Sequence, residues 1–384
     1  MPDVIHYEAL TYPDVAALRR DMPLVLPIGD GYDHNEIAAA LGVDEFCVLP
    51  ALPYGWQGSL LEVQPETFAR VVKGLWQGPK EEGFTRLAVV HAGPEQWQID
   101  GVTRIKLGRP HAAPTPTVYA TPQRVVLIAA GHTEQHGYHL PMNTDTVIIG
   151  AIMEGVAKAI PGEAEMLPVY PYGVSMFRSS YSGTFTMGGR AFEDFFVDVV
   201  SALVARGADR FYLNSGHGGN GSFFHNAVKY AGNLHRGIFA ATTWLHTSSK
   251  IGAEAIEELR TSAIGGMGHA CELETAYLLH LRPELCHMDR VVDEIDFIAT
   301  ENYYMDWIEG GSLIASPPWE DDTATGSYGA GSVATAEKGR LWLQAAVEEK
   351  VGHVREIHQQ QDRRIARRKQ RGIDYSKYPP TTGA

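Results

Sequence analysis

The chain has 384 residues, 44% of them hydrophobic and 20% charged, with a formal net charge of −14. That is enough for one large or two smaller soluble domains around a sizeable core. The acidic balance excludes nucleic acid and anionic membrane as principal partners, since both need basic surface, and no apolar run reaches the length of a membrane span. The three cysteines, Cys47, Cys271 and Cys286, are far apart and form no CxxC pair, which excludes a disulfide framework or a thiolate zinc site. No basic and apolar leader opens the sequence, so the expected location is the cytoplasm.

In chain order, short apolar runs at 24–28, 48–52, 87–90, 125–130, 166–170, 211–214 and 238–243 read as buried strands. Helical patterns lie between them. The clearest is 192–204, where Phe192, Phe195, Phe196, Val199, Val200, Leu203 and Val204 form a stripe of period 3.6 before Arg206 and Gly207 stop it. Such alternation predicts an α/β fold with a mostly parallel sheet. A long helical run begins near Ala336 and ends in Arg363, Arg364, Arg367, Arg368, Lys369 and Arg371. This basic end reads as a solvated face that complements the helix dipole.

There is an internal echo. Segment 26–34 resembles 128–136, 49–55 resembles 167–173, and 83–91 resembles 207–215, in the same order. The general likeness of α/β units is the alternative; three ordered matches favour a duplication. Residues 1–115 are therefore expected to be a degenerate copy of the front half of a main domain at 116–384, with 108–116 as linker. The copy keeps His34 but has Tyr32 where Glu134 falls and Gly93 where His217 falls, so it has lost a ligand set.

Chemistry concentrates in three segments of the main domain. Directly after the apolar run 125–130 come Glu134, His136, His139 and Asp145. Such groups at a buried strand end are costly to desolvate unless paired or bound to metal. Two carboxylates with an imidazole suit Zn, Mn or Fe(II). The second segment, 214–221, contains Gly216-x-Gly218-x-x-Gly221 after a strand. A dinucleotide site would need an acid about 20 residues on, but the first is Glu254. The glycines instead let a tight turn present His217 at the sheet's carboxyl edge. The third segment carries His269, Glu272 and Glu274 near a helix start. His269 and Glu272 share a face if the helix begins early, while Glu272 and Glu274 do not, so one of the two serves structure or caps the helix. His132 and His139 read as structural, Cys271 as a small packed residue, and no GxSxG elbow supports a serine hydrolase.

The order Glu-x-His, Asp, Gly-His-Gly-Gly-Asn and His-Ala-x-Glu-x-Glu-Thr resembles the creatininase (creatinine amidohydrolase) superfamily. Segments 171–173, 183–186 and 326–339 extend the resemblance over about residues 120 to 350. It implies a three-layer αβα hydrolase with two divalent metals per chain, Zn, Mn or Fe. Asp145 would bridge them, with Glu134 and His217 on one and His136 on the other. Creatininases proper have a further glutamate ligand two residues after the counterpart of His217. Here that position is Gly219, as in the Gly-His-Gly-Gly-Asn branch, and Glu272 is the expected replacement ligand and catalytic carboxylate. His269 matches the family's general acid/base. Arg178 stands where many relatives have a histidine, and either binds a substrate carboxylate or polarises a carbonyl, or is a surface arginine.

The family includes formamide deformylases, a peptide-trimming maturase and ring-opening hydrolases of cyclic diketones. The expected function is metal-dependent hydrolysis of a small polar cyclic substrate, with C–N cleavage (amide, lactam or formamide) first and ring-opening C–C cleavage of an inosose-type polyol diketone second. A non-catalytic metal-binding scaffold is the reading from another class. The resemblance also implies a homo-oligomer, with the N-terminal copy docking as a neighbouring subunit does in shorter relatives.

Overall fold

The computed structural model describes residues 1–93, 98–108, 123–175, 180–247, 249–308 and 310–377. The N-terminal part contains strands β1 (Asp3–His6), β2 (Leu24–Pro27), β3 (Glu45–Val48), β4 (Leu87–His91) and β5 (Val102–Lys106), with helices α1 (Tyr12–Ala17), α2 (His34–Leu41), α3 (Pro65–Leu75) and α4 (Gln77–Glu81). The strands form one all-parallel sheet in the order β1-β3-β2-β4-β5. A second all-parallel sheet, β7-β6-β8-β9, is built from β6 (Val125–Ala130), β7 (Ala164–Met166), β8 (Arg210–Ser215) and β9 (Phe239–Thr242). Helices α5 (Thr144–Ala159), α6 (Gly189–Val204), α7 (Gly221–Leu234) and α8 (Lys250–Leu259) alternate with these strands. Then come β10 (Met267–His269), α9 (Glu272–Leu281), β11 (Tyr328–Gly329) and α10 (Ala336–Arg371), with β10 and β11 pairing antiparallel. This is the expected α/β architecture of mostly parallel sheets covered by helices. The suborder β3-β2-β4-β5 of the first sheet repeats the order β7-β6-β8-β9 of the second.

Every residue of β6 and β8 is buried, as expected for the two central strands of a parallel sheet covered on both faces. The stripe of α6 packs into the core, and Phe195 stacks on Tyr54 of the N-terminal part and meets Tyr170 of the main part at a tilt, 6.0 and 4.6 Å between ring centroids. One apolar core thus runs through both sheets. A second core lies between α5, α9 and α10 and includes Ile148, Ile152, Tyr277, Trp342 and Ile357. Helix α10 starts at the Thr335 cap and ends at Gly372 in the left-handed conformation; its basic residues Arg363, Arg364 and Arg367 are exposed.

Two strands lie earlier than the sequence suggested. The runs 48–52 and 166–170 each begin where a strand ends, at Val48 and Met166. Pro50 and Pro168 have no N–H for a ladder, and only isolated bridges, Ile28 to Leu52 and Ala130 to Tyr170, continue beyond. The predicted linker, apart from Gly108, falls outside the described residues, as does the 115/116 boundary.

The N-terminal part touches the loops that follow β6 and precede α6. Met142 N–H donates to the Leu10 carbonyl at 2.9 Å. Tyr7 Oη donates to the Gly183 carbonyl at 3.0 Å, the Gly183 N–H to Glu82 at 2.8 Å, and Tyr172 Oη to the Pro50 carbonyl at 2.7 Å.

Candidate metal centre

The segment between β6 and α5 carries Glu134, His136 and Asp145 to the carboxyl edge of the second sheet. All three are buried, with exposures of 2%, 0% and 1%. Asp145 lies in the first turn of α5, where negative charge is favoured by the helix dipole. The turn after β8 brings His217 to the same point. Gly216 in that turn must be glycine, because a Cβ there would strike the Asp145 carbonyl.

The side chains converge tightly. His217 Nδ1 lies 2.9 Å from Glu134 Oε2 and 3.4 Å from Asp145 Oδ2. His136 Nε2 lies 3.1 Å from Asp145 Oδ1 and 3.7 Å from Glu274 Oε1. Asp145 thus faces both histidines. Outer partners fix the ring tautomers. His136 Nδ1–H donates to the Glu134 carbonyl at 3.0 Å, leaving Nε2 as a lone pair. His217 Nε2–H donates to the Val174 carbonyl at 3.0 Å, leaving Nδ1 as a lone pair. Lone pairs of the neutral rings therefore meet carboxylate oxygens, and with the rings neutral Glu134 Oε2 and Asp145 Oδ2 have no hydrogen-bond partner among the described residues.

Among the described residues the ion pairs of these three carboxylates run only to His136 and His217. Of the protein's own groups, these two imidazoles are therefore the ones whose protonation offsets the carboxylates. Although burial opposes it, Glu134 pushes the pKa of His217 up to about 10. Burial likewise opposes the rise of His136, which Asp145 and Glu274 drive well above the usual histidine value. Glu134 is drawn down to about 2 because His217 outweighs burial. Three carboxylates facing two imidazoles stay net negative even with both imidazoles protonated, which is the donor chemistry of a divalent-cation site.

His269 sits beside this cluster, its ring 4.2 Å from that of His136 and 4.9 Å from Trp319. Its Nε2–H donates to the Gln135 carbonyl at 2.7 Å, leaving Nδ1 free to take a proton. Burial first, and His136 next, lower its pKa.

Glu272 is not brought to the cluster. Its carboxylate accepts from Ser262 N–H at 2.9 Å and Thr261 N–H at 3.1 Å, and pairs with Lys338 Nζ at 2.5 Å. Glu274 faces the cluster instead, and its other oxygen accepts the Ala270 N–H at 2.6 Å. The reason is local. His269 ends a strand rather than opening a helix, and Ala270 takes a left-handed φ of +51°. Helix α9 then starts at Glu272, so the expected shared face of His269 and Glu272 does not form. The left-handed residue was not legible in the sequence; the only signal for Glu274 was its place in the motif.

His132, read as structural, is fully buried with its ring 4.4 Å from that of His217. One of its nitrogens lies within 4.8 Å of ligand atoms of Glu134 and His217. His139 is buried but held off the cluster by Thr275 Oγ1 at 2.9 Å. Arg178 lies outside the described residues.

Comparison with known proteins fits this arrangement. The family model for creatinine amidohydrolase matches residues 113–354. The chain belongs to the creatininase family. It is 27% identical over 248 residues to the creatinine amidohydrolase of Pseudomonas putida, covering 60% of this chain and 89% of that one. It is 32% identical over 173 residues to the mycofactocin precursor peptide peptidase of Mycobacterium ulcerans, covering 43% of this chain and 62% of the peptidase, a little under two thirds of its length. A solved manganese creatininase superposes with a TM-score of 0.52 at 25% identity, over 61% of this chain and 91% of that one. This creatininase-family member is an enzyme of the hydrolase class.

Proposed function

We propose that this hydrolase binds two divalent cations at the cluster and cleaves a C–N bond of a small amide, lactam, formamide or short peptide. The observation that carries the reading is the convergence of five buried ligand groups, with two carboxylate oxygens that lack a hydrogen-bond partner among the described residues when the imidazoles are neutral. Glu134, His217 and Asp145 would hold one cation; His136, Asp145 and Glu274 the other. Glu274 takes the place in which the sequence suggested Glu272. Zn, Mn and Fe(II) all suit carboxylate and imidazole donors; solved relatives include a manganese creatininase and a creatininase variant of Zn-Zn type.

Such cations generate a nucleophile from water near neutral pH and polarise a carbonyl. The chain's own groups do the rest. The carbonyl of Glu134 and that of Val174 orient the two ligand imidazoles. His269, neutral at working pH, takes the nucleophile's proton at Nδ1 and gives it to the leaving nitrogen. Trp319 closes one side of His269 and limits water access. Arg178, which follows Gly173 closely in the sequence, is proposed to bind a substrate carboxylate.

C–N cleavage is favoured because the named activities of the Pseudomonas and mycobacterial relatives are those of an amidohydrolase and a peptide peptidase. Ring-opening hydrolysis of a cyclic diketone is the second reading, favoured by 27% identity over 176 residues to a 3-dehydro-scyllo-inosose hydrolase of Thermotoga maritima, covering 44% of this chain and 54% of that one. We further propose that residues 1–115 are a degenerate copy of the front of 116–384, supported by the repeated strand order, and that the whole chain assembles as a homo-oligomer in the cytoplasm.

The test is a panel of creatinine, N-formyl amines, dipeptides and cyclic diketones, incubated with Zn- or Mn-loaded enzyme in ¹⁸O-labelled water. One class should turn over, with label in the new carboxylate and loss of turnover on chelation. A product without label would sink hydrolysis.

A further inference from the structure

Among the described residues the His132 imidazole makes one hydrogen bond, and that bond fixes its chemistry. The Gly173 N–H donates to His132 Nδ1 at 2.8 Å. Gly173 is itself locked, because Asn220 Oδ1 accepts the next N–H, of Val174, at 2.9 Å, and a Cβ on Gly173 would collide with that amide. A neutral imidazole that accepts at Nδ1 carries its proton at Nε2. His132 Nε2 is therefore an N–H donor, and it has no partner among the described residues. The residue is 0% exposed.

The same bond rules His132 out as a ligand. The Nδ1 lone pair is already used, and Nε2 offers a proton rather than a lone pair. This is the reverse of His136 and His217, whose outer nitrogens donate to carbonyls and whose inner nitrogens face carboxylate oxygens. A buried donor left unmade costs about 1–3 kcal/mol, so its retention beside a ligand cluster calls for an acceptor that arrives with the reaction.

We infer that His132 Nε2–H is an oxyanion donor: it hydrogen-bonds the carbonyl oxygen of the substrate as negative charge develops there. The inference rests on the hydrolase reading above. Donors already aimed at developing charge stabilise the transition state without reorganising, and His132 is held for this by its contact with Gly173 on one side and the His217 ring on the other. No proton is transferred by His132 in this role; the proton to the leaving nitrogen comes from His269.

The test uses the full chain loaded with zinc and inorganic phosphate as a tetrahedral oxyanion probe. Long-range ¹H–¹⁵N NMR on histidine-labelled protein should show His132 protonated at Nε2, with and without zinc. A bare or zinc-bound Nε2 would overturn the inference. In His132→Asn the amide oxygen still reaches Gly173 but no donor reaches the site. Its zinc content should match wild type, while phosphate binds about tenfold or more weakly, the loss expected for one charge-assisted hydrogen bond. His132→Gln, which returns an N–H near the Nε2 position, should recover most of that affinity. Unchanged phosphate binding in His132→Asn, or loss of zinc from it, refutes the donor role. If wild type itself binds no zinc, the hydrolase reading fails, whereas the NMR tautomer reports on His132 alone.

Discussion

Removing the Glu272 carboxylate should damage stability and leave metal binding intact. The group is 0% exposed and holds two backbone N–H donors, of Thr261 and Ser262, together with Lys338 Nζ. Lys338 is 14% exposed and keeps the Thr261 hydroxyl and the Val333 carbonyl as partners at 2.7 and 2.9 Å. Breaking a buried pair from one side costs about 3–5 kcal/mol. The ammonium's remaining partners place Glu272→Ala at the lower end, about 3 kcal/mol. Urea unfolding at pH 7 followed by circular dichroism would read this as a lower midpoint at unchanged slope. The effect has a pH signature. Burial would raise the Glu272 pKa, but Lys338 and the Ser262 contacts outweigh it and lower the value. Because the folded value is depressed, the carboxylate contributes its full stability above the ordinary pKa of about 4.3. That stability is lost as the pH falls through the depressed folded value. Wild type and Glu272→Gln should thus converge in acid and diverge toward neutrality. A Glu272→Ala protein with wild-type stability and less bound metal would refute this account of the residue.

Other substitutions probe different links. Gly216→Ala should lower both thermal stability and metal content, because its Cβ meets the Asp145 carbonyl; overpacking of this kind typically costs about 1–3 kcal/mol, read by differential scanning calorimetry. Trp342→Ala removes a fully buried ring and its hydrogen bond to the Ala255 carbonyl, and should cost about 3–5 kcal/mol in urea unfolding. Tyr7→Phe deletes the hydroxyl that holds the Gly183 carbonyl. A loss of about 1 kcal/mol is expected, with faster hydrogen exchange in the 180–187 loop and an unchanged exchange pattern in α10.

What the sequence made legible follows from how local each signal is. The stripe of α6 and the uniform burial of β6 and β8 depend on short periodic patterns, and both are found where periodicity put them. Glu134, His136 and His217 follow strand ends and Asp145 opens the next helix, all within short motifs, and the structure brings them together. The choice between Glu272 and Glu274 depended on one backbone torsion at Ala270, a tertiary decision that helix spacing does not encode. The role of His132 was equally hidden, because it turns on which ring nitrogen meets the Gly173 N–H, a contact across 41 residues.

The central claim is a two-cation centre completed by Glu274. Elemental analysis of metal per chain, on wild type and Glu274→Ala prepared without chelators, tests it most directly. The account predicts two equivalents in wild type and one in the variant, with both proteins folded by circular dichroism. One equivalent in each, or none in wild type, would contradict it.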